Sequence, residues 1–367
     1  MAPEVLTLRE LNRATLARQG LLAREAIAAG EAVDRFGCLQ AQDAKPPFVG
    51  LWSRVEDFTR DDLHAALHAR EVVRGTAMRG TLHLVGAQDY PPFRSALQPV
   101  LSAGLRALGD RAEGLDIPAV LPVARELLAE RPRGFKELRS DLVARFPGVN
   151  ERALGFAVRM HLPLVMVPTD HPWGFPATAD FALADEWLGA PFPADPGPHA
   201  LIRRCLAAFG PCTVADVQAW TGLSGLTADV KELRGELVVL ADERGRELLD
   251  LPDAPRPDAG VPAPARLLPE FDSLVLAHAD RTRVLPEEHK GRVVTKNLRV
   301  RATFLWDGMV AGTWAVSKAR GTATLRLEPF ARLPRGAAKA LTAEAEALLA
   351  FAEADAKAHA VEVGEPA

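Results

Sequence analysis

Apolar positions recur with helical spacing in three successive blocks, and each block closes on two short runs of alternating residues. Thr7 followed by Glu10 is a capping-box start for a helix running to about Gln19. A short helix through Val33–Leu39 leads into Gln40-Ala41-Gln42, and a third helix lies near Phe48–Arg54. Thr59 caps a fourth, which carries Leu63, Ala66 and Leu67 on one face. Val72–Ala77 and Thr81–Val85 then read as strands about a turn at Arg79-Gly80. Helices followed by a hairpin are the order of a winged helix.

The order recurs. Pro118–Glu130, Phe135–Phe146 and Glu151–His161 are predicted helices, and Leu164–Val167 and Trp173–Ala177 are predicted strands around Asp170-His171-Pro172. A shorter version has helices at Ala200–Phe209, Thr213–Trp220 and Thr227–Leu233, with Thr213 as N-cap and Asp216 at the third helical position. Its strands are Leu237–Leu240 and Glu247–Leu251, across Glu243-Arg244-Gly245. Three units of roughly 55–85 residues in one order predict an α+β chain of three tandem winged-helix units.

Two Pro-rich breaks, Pro191–Pro198 and Pro252–Pro264, read as linkers. Beyond the second, the pattern predicts strands at Ser273–Ala277, Arg292–Val294, Leu298–Leu305, Met309–Ala315 and Ala323–Leu327. Asp307-Gly308 is a type I′ hairpin signal, and Pro334–Lys357 reads as a closing helix. The expected division is residues 1–110, 111–196 and 197–258 for the three units, and 259–367 for a β-rich C-terminal domain.

Composition narrows the partners. The chain has 367 residues, 48% of them apolar, enough for several cores. A formal net charge of −4 means that nucleic-acid binding needs a local basic face. Arg266–Arg335 offers one, with thirteen Lys/Arg against seven Asp/Glu, and Arg299 and Arg301 would share one face of a strand. Cys38, Cys205 and Cys212 are odd in number and form no C-x-x-C pair, which argues against a disulfide framework or structural zinc. The N-terminus is charged and no run reaches transmembrane length, so a soluble cytoplasmic protein without metal is expected.

The chemistry on offer is unusual. Residues i and i+2 point to nearly opposite sides of a helix, so Gln40 and Gln42 share a side only where the chain is extended. Lys45 precedes a proline, which suggests a helix ending before Pro46-Pro47; the plainer reading is a polar helix end capped by Asp43. No phosphate-binding loop or dinucleotide fingerprint is present, and Gly222-Leu223-Ser224-Gly225 does not complete a nucleophile elbow. His64 and His68 stand one helical turn apart on a polar flank without the Glu of a metalloprotease. Lys45 could serve as a Schiff-base amine but reads more simply as a surface lysine.

Four motifs carry a resemblance. They are Leu39-Gln40-Ala41-Gln42 with Pro46 or Pro47 and Arg54 after it; Met78-Arg79-Gly80-Thr81-Leu82-His83-Leu84-Val85; Phe271–Arg281; and Val310-Ala311-Gly312-Thr313-Trp314. In this order, over nearly the whole chain, they resemble the AlkZ/YcaQ-like winged-helix DNA glycosylases. That family removes N7-alkylated guanine and unhooks interstrand crosslinks. The resemblance implies three winged helices with a β-rich C-terminal part. It also implies Gln40 and Gln42 as the catalytic pair, of the Gln-x-Gln class associated with self-resistance to DNA-alkylating antibiotics. Asp272 and His278 would help shape the pocket. Family members often carry a basic residue after Gly-Thr-Trp, where this chain has Ala315.

The resulting expectation is a monomeric, cofactor-free glycosylase on double-stranded DNA carrying N7-alkylguanine. Arg54, Arg79, His83, Arg281, Arg299 and Arg301 are the expected DNA contacts. A cationic N7-alkylguanine leaves without a strong general acid, so what remains is to orient a water and stabilise an oxocarbenium-like sugar. A glutamine carbonyl can accept from that water, but the amide has no accessible pKa. Asp43 would point away. A crosslinked base is tied to the other strand, so the hairpins should grip a lesion that is unflipped or partly flipped. The competing reading is a non-catalytic winged-helix DNA-binding protein, such as a transcriptional regulator.

Overall fold

The computed structural model describes residues 3–295, 297 and 299–366. A short strand, β1 (Val5–Leu6), precedes the helix Leu8–Arg18, which opens on the Thr7/Glu10 capping box. The helix Ala29–Arg35 stops before Gly37 and Cys38, both at positive φ, rather than running to Leu39. The turn they make sends the chain into β2 (Leu39–Gln40). Pro46 and Pro47 do not end a helix. They sit in the first turn of Lys45–Trp52, where a missing N–H costs nothing. Arg60–His68, capped by Thr59 and Asp62, leads to β3 (Val72–Thr76) and β4 (Leu82–Gly86).

The second block has helices Ile117–Glu130, Phe135–Arg145 and Glu151–His161, with β5 (Arg133–Gly134) between the first two. It closes with β6 (Leu164–Met166) and β7 (Asp180–Leu183). The expected strand Trp173–Ala177 is absent. Pro168, Pro172 and Pro176 cannot donate to a ladder, and pairing resumes only after them. These strands and those of the first block form one six-stranded sheet, β2-β4-β3-β6-β7-β5, joined where Arg74 pairs Met166. Leu84, Met166 and Phe181 face one core, while Val73, Val85 and Val165 face another, so both surfaces of the sheet are covered.

The third block contributes helices His199–Phe209, Val214–Thr221 and Thr227–Leu233, then β8 (Val238–Asp242) and β9 (Glu247–Asp250). β1 pairs parallel to β8. The first helix docks there as well, Arg18 reaching Asp250 at 2.7 and 2.8 Å and Gln19 the Ala208 carbonyl at 2.9 Å. The N-terminal helix therefore packs on the third block, while Gln19 also donates to the Phe36 carbonyl of the first at 3.1 Å.

A five-stranded sheet ends the chain: β10 (Arg266–Leu268), β11 (Thr303–Trp306), β12 (Met309–Ala319), β13 (Thr322–Pro329) and β14 (Ala358–Val363). Asp307 and Gly308, at φ 47° and 81°, turn β11 into β12 as the type I′ signal requires. Two expected strands are helical instead. Ser273–Leu276 is a turn of helix because the Asp272 carboxylate caps it, accepting from Leu274 N at 2.9 Å. Lys290–Val293 is helical too, leaving Val294 a single bridge to Val300. The strand expected from Leu298 begins outside the described residues, and among the described ones strand structure starts at Thr303. The closing helix spans Ala337–Ala352 and is the crossover that lets β14 lie parallel to β13.

Candidate active site

Gln40 ends β2, directly opposite His83 of β4. It is 9% exposed, and its Oε1 accepts from Arg79 Nη2 at 3.0 Å. Gln42 lies in a bend just past the strand, exposed to solvent, and its Oε1 accepts the Leu82 N–H at 3.3 Å. Both side-chain oxygens are thus held by donors from residues 79 and 82, which fixes the carbonyl end of each amide toward the hairpin. Each oxygen keeps a second lone pair, and neither amide NH2 is used in these bonds.

Arg74 fixes the backbone between them. From β3, its Nε donates to the Ala41 carbonyl at 2.9 Å and its Nη2 to the Gln42 carbonyl at 3.1 Å. Burial lowers its pKa to about 10, with the Asp43 carboxylate pulling the other way. Sequence reasoning missed Arg74. Its signal was an arginine inside the apolar run Val72–Thr76, a position that has to be hydrogen-bonded to be tolerated.

Arg79 adopts φ 55°, in the left-handed region, within the tight turn Met78–Gly80. Its Nη1 donates to the Trp220 carbonyl at 2.5 Å, so one guanidinium ties Gln40 to the end of the helix Val214–Thr221. Strain of this kind persists only when its surroundings hold it. Burial brings Arg79 down to about 10, and the nearby positive charge of Arg281 adds to the shift. Arg281 is half-buried and its guanidinium has no hydrogen-bond or ion-pair partner among the described residues; burial lowers its pKa while Glu287 raises it.

Several expected DNA contacts are placed elsewhere. His83 is 1% exposed, its Nδ1 3.1 Å from the Thr81 carbonyl. Burial, and then the Arg79 charge, depress its pKa to about 3, so it is a neutral interior ring. Arg54 is fully buried and grips Asp272 through both carboxylate oxygens, at 3.0 and 2.7 Å. That pair locks the helix Lys45–Trp52 to the C-terminal part. His278 is also buried, its Nε2 3.0 Å from the Phe209 carbonyl, and it lines no open surface. Arg299 is exposed but paired with Glu270 at 3.0 and 2.9 Å, and Arg301 is exposed with no ion pair among the described residues.

Other candidates lose their chemistry. Lys45 is tied to Glu353 at 2.5 Å and lies over the Trp173 ring. His64 and His68 stack at 6.4 Å, and no group of three potential metal ligands occurs among the described residues. Ala315 faces Arg326 across the β12–β13 ladder, so a cation stands beside the position that is often basic in the resembling family. Beside Gln42 opens a cleft of about 630 Å³, floored by the six-stranded sheet.

The site is therefore one of amides and guanidinium groups on an α+β scaffold, with no group of three potential metal ligands among the described residues. The family model for DNA glycosylase AlkZ-like proteins matches residues 33–351. An interstrand DNA cross-link repair glycosylase from Streptomyces sahachiroi is 25% identical over 355 residues, covering 89% of this chain and 92% of that one. The solved structure of Streptomyces sahachiroi DNA glycosylase AlkZ superimposes with a TM-score of 0.80 at 21% identity, covering 98% of this chain and all of that one. The chain belongs to the DNA glycosylase AlkZ-like family, and it is an enzyme of that class, a hydrolase of N-glycosyl bonds.

Proposed function

We propose that this protein is a monofunctional glycosylase that excises N7-alkylated guanine from double-stranded DNA, including bulky adducts, and unhooks interstrand crosslinks formed through that atom. A natural setting is self-resistance to a DNA-alkylating natural product, in a reducing cytoplasm that holds the nucleoid. The relative's function in cross-link repair supports the substrate. Three free, buried cysteines are compatible with the compartment.

The observation that carries the reading is the pair of side-chain amides, Gln40 and Gln42, both anchored through oxygen to one hairpin. A spare lone pair on each oxygen can accept from the attacking water, while the cationic base needs little help to leave. Arg79 poses an electrostatic problem, since a guanidinium beside an oxocarbenium-like sugar opposes the developing charge. A phosphate on the neighbouring Arg281, which has no ion pair among the described residues, would offset it, which is how duplex DNA would complete the site.

We read the scaffold as three winged-helix units, 1–110, 111–196 and 197–258, followed by 259–367, acting as a monomer. The recurring order of helices and hairpin supports that reading, although the first two hairpins have merged into one sheet.

The test is single-turnover incubation with duplexes bearing 7-methylguanine or a bulky N7-guanine adduct. Release of free base with an intact abasic strand is expected. Tight binding of both duplexes without any release would leave a non-catalytic DNA-binding protein.

A further inference from the structure

The cleft beside Gln42 is built from five strands of the six-stranded sheet, all but β2. Arg74, Leu82, Met166 and Phe181 pave its floor, and Phe135, Trp173 and Phe175 wall it. Met166 faces Arg74 and Phe181 in register, so the floor exists only because the first two hairpins joined edge to edge. At about 630 Å³ it falls within the roughly 300–1,000 Å³ of small-molecule sites.

Its polar groups point to an anion. Arg159 stacks over Phe135 at 4.4 Å, and its buried Nε has no acceptor among the described residues. No ion pair of Arg159 occurs among the described residues either. Lys136 stands exposed beside it at the rim. The single carboxylate of the lining, Asp43, sits at the opposite, Gln42 end. Burial and the neighbouring Arg139 both lower the Arg159 pKa, as expected for a cation lacking its counter-charge. Planar apolar walls with an unsatisfied guanidinium match the two halves of a nucleotide, a base to stack and a phosphate to pair.

We infer that this cleft receives one nucleotide unstacked from the duplex next to the lesion, its base against Phe135 and Trp173 and its phosphate on Arg159 and Lys136. The inference rests on the glycosylase reading for the identity of the lesion but not for the binding of DNA. The occupant is a neighbour and not the damaged nucleotide itself, because Gln42 stands at the cleft's mouth and must stay at the attacked sugar. A crosslinked base could remain tied to its partner while the neighbour moves, opening the duplex around the attacked bond.

The test places 2-aminopurine, which brightens when unstacked, on either side of an N7-alkylguanine or opposite it. Gln40→Ala protein is used so that no base leaves during the measurement. Brightening at one flanking position is expected, with several-fold loss of that signal in Arg159→Met and in Lys136→Glu, at saturating protein and with unchanged melting temperature. Lys136 is exposed, so its variant reports even where Arg159→Met folds poorly. Equal brightening in both variants, or brightening only at the opposite base, overturns the inference. Brightening that needs Arg159 and Lys136, in a protein whose wild type releases no base, would uphold the cleft and remove the glycosylase reading.

Discussion

The side-chain oxygen of Gln40 accepts a hydrogen bond from the Arg79 guanidinium at 3.0 Å, a contact between residues 39 positions apart in the chain. Arg79 reaches it from a left-handed backbone and holds the Trp220 carbonyl with its other terminal nitrogen. The Gln40 amide is therefore oriented by the first hairpin and by the third block together. Replacing Arg79 by Ala should slow base release about 10–100-fold with little change in KM, a loss of orientation rather than affinity. Arg79→Lys should recover only part, because an ammonium lacks the planar fork. An equal rise in KM with kcat intact would make Arg79 a phosphate contact instead.

Gln40→Ala and Gln42→Ala should each lose about 10²–10³ in single-turnover rate on 7-alkylguanine DNA, the usual cost of removing one oriented polar group in a transition state. Duplex affinity should stay near wild type. Gln42→Asp recreates the Gln-x-Asp form of the motif and should keep activity. If both alanine variants release base at the wild-type rate, the pair only shapes the hairpin.

The rate of base release should be nearly flat between about pH 5.5 and 8. The amides do not titrate, Arg79 loses its proton only near its pKa of about 10, and His83 gains one only near about 3. A sigmoid step near pH 6.5 would bring a histidine into the mechanism.

His83 also predicts acid sensitivity. Its pKa is about 3 when folded and about 6.5 in an unfolded chain, so the unfolded state takes up the proton first as pH falls. Its stabilising contribution is complete above about pH 6.5 and declines from there toward pH 3, a few kcal/mol in all. Denaturant unfolding at pH 7, 5 and 4 should show a shallower acid loss for His83→Gln than for wild type. Parallel losses would mean that His83 is not the group responsible.

Arg54→Ala or Asp272→Ala leaves one buried charge without its partner, at a cost of about 3–5 kcal/mol. Both should melt well below wild type, and the double variant should cost less than the sum. Additive losses would mean that the pair is not the source of the effect. On the surface, Arg301→Ala should reduce the slope of log affinity against log salt by about 0.9, one phosphate's worth. Arg299→Ala should reduce it less, since Glu270 already neutralises that guanidinium. An unchanged slope for Arg301→Ala would remove it from the DNA face.

The sequence by itself determined the local elements whose signals are local. The capping boxes at Thr7, Thr59 and Thr213 start the helices they predict, and Asp307-Gly308 turns the chain as its φ values demand. The Gln40-Ala41-Gln42 spacing could place both side chains on one side only in an extended segment; β2 covers Gln40, and Gln42 lies in the bend after it. Only the tertiary structure decided the rest. Leu274–Leu276 is apolar at every position, so periodicity cannot separate strand from helix, and it is the Asp272 cap that makes Ser273–Leu276 helical. That Arg54 and Asp272 meet, that His83 is neutral and interior, and that Arg74 grips the Gln motif all depend on which faces touch. Sequence spacing carries no record of contacts made 30 or 200 residues away. The joining of two hairpins into one sheet is of the same kind: edge strands advertise free N–H and C=O groups to any partner, and the packed cores on both faces select which one they find.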